Sequence, residues 1–118
     1  MGLDMYLYQK ETHEVAYWRK ANAIHGWIIQ NTKVEDDCTP IHLSKQLVID
    51  LRDTCAEVLR VGTDEIAWEL LPPTSGFFFG SSEVDDWYWE NVKDTVAKLN
   101  EIIYNSTEDQ EFEYCASW

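Results

Sequence analysis

The chain opens on an alternation of apolar and polar positions. Leu3, Met5 and Leu7 fall on one side and Asp4, Tyr6 and Tyr8 on the other, which predicts a half-buried strand over residues 2 to 8. Thr12 then offers a helix cap, and Glu14 a carboxylate for the positive end of a helix dipole. The pattern carries that helix to about Asn31. Along it Tyr17, Ala21, Ile24 and Ile28 recur at helical spacing as a stripe for the core. Beside this runs a mixed stripe of Trp18, Asn22, His25 and Ile29, with Arg19 one turn before Asn22.

Residues 32 to 43 are rich in turn formers and read as a loop, with a short extended piece at Ile41 to Leu43. Ser44 caps a second helix from Lys45 to about Arg60, whose Leu47, Val48, Leu51, Cys55, Val58 and Leu59 form a core face ending near Gly62. Asp64 to Leu71 suits one or two helical turns, stopped by Pro72 and Pro73. The glycine-bounded run from Ser75 to Gly80 holds three phenylalanines and predicts a short strand buried on both sides. Ser81 or Ser82 then caps a third helix that gathers Glu83, Asp85, Asp86 and Glu90 at its start and turns Tyr88, Val92, Val96, Leu99 and Ile103 to the core. After a polar turn the segment Glu111 to Trp118 alternates again, with Phe112 and Tyr114 on one face.

These elements predict an α+β fold in which about three helices pack on a small, mainly antiparallel sheet. The sheet is expected to comprise the N-terminal strand, the 75–80 segment and the C-terminal strand. A length of 118 residues suits one domain, spanning residues 1–118. The 45% hydrophobic share, with six Trp and six Tyr, supplies a core and excludes disorder of the whole chain. Cys38, Cys55 and Cys115 are odd in number and widely spaced, the pattern of free thiols in a reducing compartment. With no basic leader and no long apolar run, neither a signal peptide nor a membrane span is expected, and the protein is placed in the cytoplasm. Gly2 does not make a myristoylation signal, because Tyr6 stands where that motif needs Ser or Thr.

Charge changes the picture further. The net charge is −13; residues 1 to 33 carry four bases against three acids, and the remainder five against nineteen. Such a field disfavours direct binding to DNA, RNA or acidic membranes, while it would draw a protein whose own surface is built to hold nucleic acid.

Candidate chemistry is sparse. Cys38 and His42 are four residues apart, but there is no tight Cys-x-x-Cys or His-x-x-x-His pair, so neither a metal nor a cofactor is expected. No nucleophile elbow or phosphate loop is present, and Asp85 and Asp86, consecutive at a helix start, point about 100° apart, poor geometry for sharing a proton. The best recognition cluster is Tyr17, Trp18, Arg19, Asn22 and His25, backed by Ser75 and Phe78 of the glycine-bounded segment. Rings can stack, arginine can grip phosphate or carboxylate in a fork, and Asn and His can fix edges. The plainer alternative has Trp18 covering the core, His25 bonded to a backbone carbonyl, and Arg19 and Lys20 pairing with surface acids for about 0–1 kcal/mol.

Several longer stretches carry a resemblance: Gly2 to Leu7 (GLDMYL), Val15 to Asn22 (VAYWRKAN) with Ile24-His25 and Trp27, and Leu70 to Gly80 (LLPPTSGFFFG). Together with Asp36-Asp37-Cys38, Asp86-Trp87-Tyr88 and the closing Ala116-Ser117-Trp118, they resemble a family of small, functionally uncharacterised phage and prophage proteins over most of the chain. Members of that family have a longer insert between the first strand and the VAYWRK segment, where this chain has only Gln9 to His13. The resemblance implies a phage or prophage accessory protein in the bacterial cytoplasm, and by analogy an antagonist of host defence.

The leading expectation is a non-enzymatic binding protein with a small-ligand, nucleotide-like pocket on the first helix. The second is an acidic, nucleic-acid-mimicking inhibitor of a host defence protein, with carboxylates along one exposed stripe. The third is an enzyme using His25 or the aspartates. A host or phage protein partner and a homo-oligomer are left open.

Overall fold

The computed structural model describes residues 3–9, 13–33, 40–73 and 83–117. They form two layers, a four-stranded antiparallel sheet and the helices that cover one of its faces. In chain order the elements are β1 (Asp4–Gln9), β2 (His13–Arg19), α1 (Asn22–Thr32), β3 (Ile41–Ser44), α2 (Lys45–Val61), α3 (Asp64–Leu70), α4 (Asp86–Asn105) and β4 (Glu111–Ser117). The strand order is β2-β1-β4-β3, so the first and last long strands, each expected from its alternation, lie side by side at the centre. The α+β class follows.

The largest correction concerns residues 13 to 31. The expected single helix is a strand through Arg19, followed by a helix from Asn22. Valine and aromatic residues favour strands, and β1 supplies a partner whose register sets Met5 against Trp18, Tyr6 against Tyr17 and Asp4 against Arg19. Between Leu7 and Tyr8 the register shifts, leaving Val15 as the extra residue of a bulge. Lys20, left-handed at φ 55°, ends the strand, and its backbone N–H donates to the Leu3 carbonyl at 2.7 Å. The chain therefore turns before the helix begins.

Two further elements depart from the pattern. The extended piece at Ile41 is a full edge strand on β4, and Asp64–Leu70 is a helix of its own, making four helices among the described residues where about three are expected. The 75–80 segment, expected as the third strand, lies outside the described residues, as do Ser81 and Ser82. The cap of α4 is instead Asp85, whose Oδ1 accepts from the Tyr88 N–H at 2.9 Å. Ser44 caps α2 as predicted, and Gly62 ends it in the left-handed conformation at φ 70°.

One side of the sheet is dry. Leu3, Met5, Leu7, Ala16, Trp18, Phe112 and Tyr114 meet Ile24, Ile28, Val48, Leu51, Cys55, Val58 and Leu99 from the helices, all buried. Each such side chain contributes about 1.5–3 kcal/mol when fully removed from water. On α4 the inward face is rotated slightly from the expected one, with Thr95 and Ile102 buried and Val96 and Ile103 only partly so. The rotation brings the Thr95 hydroxyl to the edge of the Trp18 ring, where Trp18 Nε1 donates to Oγ1 at 2.8 Å. Among the described residues no buried side-chain polar atom lacks a hydrogen-bond partner.

Candidate functional site

The residues singled out in the sequence divide between the two sides of the sheet. Trp18, only 3% exposed, points into the core from β2. Tyr17 and Arg19 on the same strand emerge on the open face. There Tyr17 donates its hydroxyl proton to Asp4 Oδ1 at 2.8 Å, and Arg19 Nε stands 3.9 Å from the same carboxylate. The bond to Asp4 holds the Tyr17 phenol above its ordinary pKa. Asn22 and His25 start α1 and are buried on the helical side, with His25 Nδ1 2.6 Å from the Tyr114 hydroxyl oxygen. One ring nitrogen of His25 thus meets a phenol. Ser75 and Phe78 lie outside the described residues. A two-residue strand period separates what a helix would have gathered: the five described members do not line one hollow.

Two concavities among the described residues bear on a ligand site. A cleft at the start of α1 and α4 is lined by Lys20, Asn22, Ile24, Asp85, Trp87, Tyr88 and Asn91 among others; its free interior of about 10 Å³ has the room of a single water molecule. Of the predicted site it contains Asn22 alone. A larger open groove, about 470 Å³, runs between the end of the β1–β2 hairpin and the second half of α4, lined by Gln9, Glu14, Val15, Lys98, Glu101, Ile102 and Asn105. Its lysine is already engaged: Lys98 Nζ lies 2.6 Å from Asp94, donates to the Tyr17 carbonyl at 2.5 Å and sits 5.4 Å above the Trp18 ring. What remains in the groove is two carboxylates and two amides, chemistry for a cation and not for a phosphate.

A different surface gathers charge. From Val61 to Val92 the sequence contains no Lys, Arg or His but seven acids, Asp64, Glu65, Glu69, Glu83, Asp85, Asp86 and Glu90. All except the capping Asp85 are exposed. The Tyr88 hydroxyl donates to the Leu71 carbonyl at 2.7 Å and thereby ties the end of α3 to the first turn of α4, so acids distant in sequence share one end of the molecule. Trp68 and Trp87, 51% and 53% exposed, stand among them. The base-free run was readable in the sequence; that its two halves meet was not. Further along α4, Asp94 pairs with Lys98.

The cysteines differ in environment. Burial pushes the Cys55 thiol up to about 12, and Cys115, partly covered on the open sheet face, is raised by burial and by Glu113. No group of three or more His, Cys, Asp or Glu side chains among the described residues is placed to hold a metal ion.

Fold and surface thus define a small α+β protein with a four-stranded antiparallel sheet, helices on one face and an acidic end. No helix among the described residues is long and apolar enough to cross a membrane. Comparisons with protein-family models, with curated proteins and with solved structures find no match.

Proposed function

We propose that the protein is a non-enzymatic binding protein. It docks its α3–α4 end on a basic surface of a partner protein, of the kind that otherwise holds nucleic acid. The observation that carries this reading is the base-free run from Val61 to Val92, whose six exposed acids stand with the half-exposed Trp68 and Trp87, Lys20 bordering them at the cleft beside Trp87. A one-sign field steers a basic partner into encounter, and half-exposed tryptophans are the residues that most often anchor an interface. The resemblance to phage and prophage proteins supplies a setting in which the partner is a host defence protein. The narrowness of the cleft beside Asn22 gives a nucleotide-like small ligand less support.

The test is retention of partners from bacterial lysate on the immobilised protein, followed by titration of the purified partner. Binding should weaken steeply between low and moderate salt, and duplex or single-stranded DNA should compete for the partner. Trp87→Ala should cost about 2 kcal/mol of binding, and neutralising Glu65, Glu69 and Glu90 to glutamine should make the salt dependence shallower. An association indifferent to salt and to DNA rejects the reading.

A further inference from the structure

The open face of the sheet carries a second recognition surface, independent of the α3–α4 end and directed away from the helices. Its centre is aromatic. Tyr6 and Tyr8 stack with ring centroids 6.2 Å apart, and Tyr17 tilts against Tyr6 at 5.1 Å. The strand register frames these rings with acids: Tyr8 lies between Glu14 on the edge strand β2, which also borders the groove beside α4, and Glu113 on β4, and Asp4 flanks Tyr17. Two basic groups share the face, Arg19 at 3.9 Å from Asp4 and His42 at 3.4 Å from Glu111. Neither pairs with Glu14 or Glu113, which have no ion-pair partner among the described residues.

We infer that this face binds an extended, arginine-bearing peptide segment of a partner protein, with arginines at alternate positions over Tyr6 and Tyr8. A guanidinium is the group that the arrangement complements. The π-faces attract a cation, the flanking carboxylates accept its N–H donors, and a planar group stacks where an ammonium would not. Alternate residues of an extended chain are about 6.6 Å apart, which matches the spacing of the two stacked rings. The same carboxylates repel a nucleic-acid backbone, so the aromatic rings do not make a platform for bases here.

The experiment uses the full chain and three labelled glycine–serine peptides bearing arginine, lysine or citrulline at alternate positions. Fluorescence anisotropy reports affinity, and amide chemical shifts report the surface. Binding in the order arginine, then lysine, with citrulline inert, and shifts confined to β1, β2 and β4, is the expected result. Tyr8→Leu, which keeps strand propensity and apolar bulk, should weaken the arginine peptide about three-fold or more. The double variant Glu14→Gln with Glu113→Gln, which leaves the rings in place, should weaken it at least as much. Neutralising Glu65, Glu69 and Glu90 should leave it unchanged, so this proposal can fail while the α3–α4 reading stands, and the reverse. Equal binding of the citrulline peptide, shifts confined to α3 and α4, preferential binding of single-stranded oligonucleotide, or a self-associated dimer that buries Tyr8 would each overturn it.

Discussion

Trp18 and Thr95 show how much hangs on one hydroxyl. The indole N–H is buried and donates to Thr95 Oγ1 at 2.8 Å, while the same hydroxyl donates back to the Asn91 carbonyl at 2.7 Å. Thr95→Val keeps the shape and strands the indole N–H, which should cost about 1–3 kcal/mol. Adding Trp18→Phe removes the orphaned donor, so the double variant should be less destabilised than the sum of the singles. Urea unfolding of the four proteins forms the cycle, and strict additivity would show that the hydrogen bond contributes nothing. Trp18 itself was singled out for ligand stacking; its alternation with Tyr17 on a strand turned it inward, a consequence of period and not of side-chain chemistry.

At the scale of elements, helix ends are the parts most directly written in local sequence. Gly62 and Lys33 occupy the same left-handed conformation at the ends of α2 and α1, at φ 70° and φ 57°. Glycine holds that conformation at no steric cost, and lysine does not. Gly62→Ala should therefore destabilise by about 1 kcal/mol; an added Cβ would meet only an ordinary contact, 3.6 Å from the Leu59 carbonyl oxygen, so the backbone is the cause. Lys33→Gly should stabilise by about 0.5–1 kcal/mol, read as a higher denaturant midpoint at unchanged slope. Shifts of the same sign for both would contradict the shared explanation. Ser44 and Gly62 bracket α2 as legibly in the sequence as in the fold. The junction at Lys20 carries no such signal, because lysine is not a residue from which a left-handed turn is read.

For the molecule as a whole, burial of ionisable groups sets the alkaline limit of stability. Cys55 rises from 9.0 to about 12, and Tyr88, buried and bonded to Leu71, is also raised, by burial first and by Cys55 second. In the unfolded chain the Cys55 thiol ionises near its ordinary value, while in the folded protein it stays protonated. The unfolded state thus binds fewer protons above pH 9, and stability falls as pH rises from about 9 towards 12; below that window the contribution is complete. Urea midpoints should be flat from pH 7 to 9 and decline above. Cys55→Ala should flatten part of the decline, at about 1–3 kcal/mol lost at neutral pH to the cavity left behind. A decline identical in the variant would assign the effect to other groups.

The sequence by itself determined the class of the fold, the existence of its first and last strands, the capped and glycine-terminated α2, and the existence of a long base-free run. These depend on period, caps and composition, which are local properties of the chain. Only the tertiary structure decided that residues 13 to 19 are a strand. Apolar side chains occur at both periods there, and the partner that selects one of them is β1, reached through a register no local pattern specifies. That register brought Tyr17 beside Tyr6, the register of β1 with β4 brought Glu113 beside Tyr8, and the Tyr88–Leu71 bond joined α3 to α4. Both proposed surfaces rest on long-range pairing, which costs chain entropy that local preference does not repay and is fixed by the burial of the whole core.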